Sequence, residues 1–155
     1  MDLASVADRF AQVVRRVPPE RLEQILRTPV RRPLLDTIFW QVPQHLDRRR
    51  AAGVSATIRW RITGRADGEA DVYDLQIADG RARVKRGAEE SRPTLTITID
   101  AAEFLRVAAG VSNPINAYFN GRLELRGDVM QAARLTALFR IPSPRPRPPA
   151  ASPSA

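Results

Sequence analysis

At Ser55 the hydrophobic repeat of this 155-residue chain changes period, and that change constrains the fold more than any other feature. Before it, Leu3, Val6, Phe10, Val13, Val14 and Val17 recur at helical spacing, which predicts an amphipathic helix over residues 2–17. Pro18-Pro19 stops that helix and opens another, Pro19–Arg27, with Leu22, Ile25 and Leu26 apolar. A third, Pro33–Gln41, carries Leu34, Leu35, Ile38, Phe39 and Trp40, with His45-Leu46 continuing it past Pro43. After Ser55, Ala56, Ile58, Trp60 and Ile62 alternate with Thr57, Arg59, Arg61 and Thr63, the mark of a half-buried strand. Tyr73, Leu75 and Ile77 predict a second strand, Ala82 and Val84 a third, and Leu95, Ile97 and Ile99 a fourth. Asp79-Gly80 between the second and third is a tight hairpin signal.

Helical signals return from Asp100. Asp100-Ala101-Ala102-Glu103 has the spacing of a capping box, and that helix should stop at Gly110. Asn113–Phe139 then holds a capped helix at Asn113-Pro114, a stop at Gly121 and a strand over Arg122–Arg126. Gly127-Asp128 breaks the strand and caps a last helix with Ala132, Leu135, Leu138 and Phe139 on one face. Four strands in succession favour an antiparallel meander, with the helix pair carrying the chain across to the fifth. Arg59, Arg61, Arg81, Arg83 and Lys85 alternate outward, so one sheet face is wet and helices cover the other. The expected fold is α+β: two layers, with a five-stranded, mostly antiparallel sheet covered on one face. Residues 1–54 read as a helical extension packing on the domain, 55–140 as the domain, and 141–155 as a disordered Pro-rich tail.

Composition removes several function classes. With no cysteine there are no disulfides, thiolate metal sites or cysteine nucleophiles. Met1–Ser5 lacks a secretory start and no apolar run has membrane-spanning length, so a soluble cytoplasmic protein is expected. The net charge of +8 sits in the flanks: +4 in residues 1–55, +1 in 56–139 and +3 in 140–155. A near-neutral centre argues against nucleic acid as a partner. His45 stands alone and has no companion spaced for a metal; Asp67, Glu69, Asp71 and Asp74 lack the calcium-loop pattern and read as solvated strand-edge charges. Gly64–Gly68 has the wrong spacing for a phosphate loop. Arg48-Arg49-Arg50 could meet anionic lipid headgroups or simply be solvated. No catalytic residues, metal or cofactor are proposed.

Several of these residues together carry a resemblance. Glu103-Phe104, Gly110, Asn113-Pro114, Phe119, Gly121-Arg122-Leu123, Gly127-Asp128 and Leu135 fill, in order, the places of the sterol carrier protein 2-like lipid-binding domain. The resemblance covers about Ser55–Phe139, and the helical start resembles that of bacterial stand-alone members. It implies helices enclosing an apolar tunnel for a fatty acid, fatty acyl-CoA, sterol or isoprenoid lipid, carried without catalysis. The wall expected for that tunnel is Trp60, Phe104, Ala108, Ile115, Tyr118, Phe119, Leu123, Leu125, Met130, Leu135, Leu138 and Phe139. Asn116, Asn120 and Tyr118 are the nearby polar groups, and Phe39-Trp40 is either a pocket lid or a helix–sheet contact. The alternative function is an accessory module presenting a lipid or quinone intermediate to a partner enzyme of lipid metabolism.

Overall fold

A computed structural model of the chain describes residues 3–87 and 92–139. Helices α1 (Leu3–Arg16), α2 (Pro19–Ile25) and α3 (Arg31–Gln41) come first. Strands β1 (Ala56–Thr63), β2 (Asp71–Ala78), β3 (Arg81–Arg86) and β4 (Leu95–Asp100) follow, then α4 (Ala101–Ala108), α5 (Pro114–Phe119), β5 (Leu123–Arg126) and α6 (Val129–Thr136). The third helix starts two residues before Pro33, which is tolerated within a first turn. It does not run through His45: Val42–His45 is a separate 3-10 turn and Leu46 is extended. The tail expected over 141–155, and part of the polar loop Arg86–Pro93, lie outside the described residues.

The sheet order is β3-β2-β1-β4-β5, and three of its four pairings are antiparallel. The architecture is the expected α+β one, but the four-strand meander is not. Only β1, β2 and β3 form a meander. The fourth strand returns to lie parallel to β1, Ile58 opposite Leu95 and Ile62 opposite Ile99. The physical reason is burial: Leu95, Ile97 and Ile99 are all buried, and a central position beside β1 hides them where the edge beyond β3 would not. Pairing to β3 is, by contrast, weakly rewarded, since Arg81, Arg83, Lys85 and Arg86 are exposed.

Register sets the two faces. On the inner face Tyr73, Trp60, Ile97 and Leu125 form one row across β2, β1, β4 and β5. Leu75, Ile58 and Leu95 form the next row. These pack with Leu22, Leu26, Leu35, Phe39, Phe104, Leu105, Leu135 and Leu138 in one core, so the first three helices contribute to it directly. The outer face is not uniformly wet. Asp74 is 0 % exposed and takes a two-pronged contact from Arg59 directly opposite, at 2.9 and 3.1 Å. At the end of the inner face Asp71, opposite Ile62, pairs with Arg31 at 2.7 Å and Arg65 at 3.2 Å. The reading of Asp71 and Asp74 as solvated is therefore corrected, while Asp67 and Glu69 are exposed as expected: strand register sets Asp74 opposite Arg59, α3 and the β1–β2 turn bring Arg31 and Arg65 to Asp71, and pairing makes the burial tolerable.

Side-chain caps hold the helix starts. Asn113 Oδ1 accepts from the Ile115 amide at 2.8 Å and Asp128 Oδ1 from the Met130 amide at 2.9 Å. Gly127, at φ 129°, joins β5 to α6 where a Cβ would sit 2.8 Å from Leu95 Cδ2, so that junction admits only glycine without a shift.

Candidate functional site

The inner face is dominated by aromatic rings. Phe39 lies between Tyr73, stacked at 4.0 Å, and Phe104, stacked at 5.0 Å. Trp60 meets Phe39 and Phe104 edge-on at 6.1 and 5.7 Å. Tyr73 also donates to Asp36 Oδ1 at 2.6 Å, and Asp36 pairs with Arg86 from the edge strand. Thus α3 is fastened to the sheet by one stacked ring and one polar clasp.

Burial, aided by the Asp71 carboxylate, pushes the Tyr73 phenol up to about 12; Arg32 and Arg31 pull the other way. An unfolded phenol titrates near 10. The folded state therefore holds its proton more tightly, and this contribution is complete below pH 10. It is lost as pH rises towards 12. The urea midpoint should fall across that window, and Tyr73→Phe, measured in parallel, should show a shallower fall. Parallel curves for the two proteins would contradict this assignment.

Trp60 is the exception within the core. It sits on the central strand of the inner face, where helices should seal it, yet it is only half-buried, as is Leu125 in the same row. Its indole Nε1 is buried without an acceptor among the described residues.

The residues expected to form a wall divide into two sets. Trp60 and Phe104 touch; Leu123, Leu135 and Leu138 are buried in the same core, with Ala108, Leu125 and Phe139 half-buried. Ile115, Tyr118, Phe119 and Met130 are exposed instead, Phe119 by 77 %. Tyr118 and Phe119 lean edge-on against each other at 5.4 Å, and Asn116 and Asn120 are exposed beside them. Phe39 is core while Trp40 is 54 % exposed, so the two neighbours face opposite environments.

A cavity of about 680 Å³ opens elsewhere, lined by Glu23, Thr63, Thr98, Asp100, Glu103, Arg106, Arg122 and Glu124 among others. None of the expected wall residues lines it. Glu103 is buried there, accepts from the Ser112 hydroxyl, and lies 3.9 Å from both Arg106 and Arg122. The capping box is corrected accordingly: Asp100 Oδ2 caps the Ala102 amide at 3.0 Å, but Glu103 turns to this tertiary cluster. Sequence reasoning missed that cluster, because Ser112 and Arg122 lie 9 and 19 positions away. Among the described residues no group of three or more His, Cys, Asp or Glu could hold a metal ion. No described helix is long and apolar enough to cross a membrane.

Residues 35–140 match the model of the SCP-2 sterol transfer family. The chain belongs to that family. The matched span begins inside α3, at the helix that brings Phe39 to the sheet. Stomatin-like protein 1 of Homo sapiens is 24 % identical over 129 residues, 83 % of this chain; the chain spans about a third of that protein (32 %). Non-specific lipid-transfer protein-like 1 of Caenorhabditis elegans is 28 % identical over 107 residues, 67 % of this chain and 88 % of that one. Among solved structures, sterol carrier protein 2 like 2 from Aedes aegypti superposes with a TM-score of 0.57 at 21 % identity. That match covers 70 % of this chain and 98 % of the other, and establishes the fold of this SCP-2 family member.

Proposed function

We propose that this SCP-2 family chain binds and carries a hydrophobic ligand, without catalysing a reaction on it. The ligand class is a fatty acid, fatty acyl-CoA, sterol or isoprenoid lipid. The observation that carries the reading is Trp60: a central-strand aromatic on the apolar face, against Phe104 and in one row with Leu125, that is only half-buried. Each methylene taken from water along such a row contributes about 0.8 kcal/mol, so a long chain is held with little polar specificity. A ligand oxygen reaching Trp60 Nε1 would also satisfy a donor whose isolation costs about 1–3 kcal/mol.

Organic extraction of the purified protein, followed by mass spectrometry, should release a lipid. Titration with a fluorescent fatty acid should saturate and be weakened by Trp60→Ala. No extractable lipid together with no saturable binding would end this reading.

A second reading, presentation of the ligand to a partner enzyme, is favoured by one feature. Val13, Val30 and Trp40 expose apolar surface on and beside the first three helices. Deleting those helices would remove Leu22, Leu35 and Phe39 from the core, so the informative variant is Val13→Ser with Val30→Ser and Trp40→Ser. Loss of partner recovery with ligand binding intact supports presentation; unchanged recovery argues against it.

A further inference from the structure

Strand β3 ends the sheet on one side, and its outer edge is open. Just beyond the strand the Gly87 amide donates to Val72 O at 2.7 Å, which sets the phase of the antiparallel ladder: Arg81, Arg83 and Lys85 exchange backbone bonds with β2. The alternate residues Ala82 and Val84 therefore point their N–H and C=O groups away from the sheet. Among the described residues those groups meet no partner.

The side chains along this edge alternate in kind. Arg81, Arg83 and Lys85 are exposed on the outer face, and no acid occurs within Arg81–Arg86. Asp79 lies in the turn that precedes the strand. On the outer face of β2 the one acid, Asp74, already holds Arg59 at 2.9 and 3.1 Å. Ala82 and Val84 are half-buried on the inner face, at the margin of the core with Val42.

We propose that β3 accepts an added strand from a partner protein, an extended segment in which acidic residues alternate with small apolar ones. The backbone calls for a strand, because outward N–H and C=O groups along an edge are paired in register by another extended chain. The side chains set its sequence class. Acids of the added strand lie beside Arg81, Arg83 and Lys85 on the outer face, and its apolar residues extend the inner face beside Ala82 and Val84. A second copy of this chain does not fit. Pairing β3 with itself sets cation beside cation, and the other sheet edge, β5, brings one Glu and one Arg within four residues. A basic edge guards against indiscriminate pairing, and the same charges make an acidic strand the exception. The inference goes beyond the carrier reading and does not depend on it, since β2 stands between this edge and Trp60 on β1.

The test uses the full chain and fluorescein-labelled synthetic peptides, read by fluorescence anisotropy. A peptide with the repeat Glu-Val-Glu-Val-Glu should bind saturably and weaken with salt. A peptide of the same composition with its acids in one block should bind roughly tenfold more weakly. Amide hydrogen exchange at Ala82 and Val84, fast in the free protein, should slow when the alternating peptide binds. Arg81→Glu with Arg83→Glu should weaken the acidic repeat roughly tenfold or more and admit the repeat Lys-Val-Lys-Val-Lys, which the parent rejects. Val84→Pro removes one outward N–H without changing charge, a substitution an edge strand tolerates, and should lose the acidic peptide as well. The urea midpoint and extracted lipid are measured for each variant, so a folded variant that keeps its lipid but not the peptide supports the proposal. No saturable binding of the acidic repeat overturns it and leaves the carrier reading standing. Equal binding of the blocked peptide, or binding that leaves the Ala82 and Val84 amides unprotected, also overturns it, because charge alone then accounts for the contact.

Discussion

Replacing Asp74 with alanine should lower the unfolding free energy by about 3–5 kcal/mol, because it breaks the two-pronged contact between a wholly buried carboxylate and Arg59. The magnitude follows from geometry. Asp74 is wholly buried, Arg59 is mostly so, and two guanidinium nitrogens meet both carboxylate oxygens. Removing one partner of a buried pair costs far more than the pair contributes when intact. Urea denaturation reads the loss as a lower midpoint. Restoring the balance with Arg59→Leu in the Asp74→Leu background should recover most of it, since a matched apolar pair carries no stranded charge. A single-variant loss below about 1 kcal/mol, the range of an exposed pair, would contradict this account.

Phe39→Ala should cost a similar amount, about 3–5 kcal/mol, by opening a cavity between two stacked rings. Phe39 is 1 % exposed, so little surrounding structure can collapse into the space without moving α3 off the sheet. The adjacent Trp40→Ala is the internal control: its exposed ring should change stability by no more than about 0.5 kcal/mol. The two variants also separate the two expectations for this pair. If Trp40 covers a ligand, its removal should alter the off-rate of a bound fluorescent fatty acid while leaving the urea midpoint in place. If Phe39 changes stability no more than Trp40 does, the stacked core is misassigned.

The features legible in the sequence were those whose causes are local. Period-two alternation marked all five strands, and Asn113, Asp128 and Gly121 announced the helix ends because a cap or a left-handed residue acts within a few positions. What stayed hidden depended on partners chosen across the fold. Nothing near Leu95 says that it will lie beside Ile58 and not beyond Arg86. The spacing of Glu103 from Asp100 suited a local cap, but Ser112, Arg106 and Arg122 offered a buried carboxylate stronger partners. Apolar content alone likewise could not say that Ile115, Phe119 and Met130 face out while Leu123 and Leu135 face in.

The return of β4 to the side of β1 has a consequence for how the protein is made. Thr63 ends β1 and Asp100 ends its parallel neighbour, 37 residues later. At ordinary synthesis rates of about 5–20 residues per second, the ribosome needs roughly 2–7 s to supply that strand. For that interval the central strand is an unpaired edge. Arg59 and Arg61, alternating with its apolar residues, make that edge a poor template for a neighbouring nascent chain. Arg59 meets Asp74 on β2, which is synthesised before β4, so Arg61 is the charge left exposed along that edge.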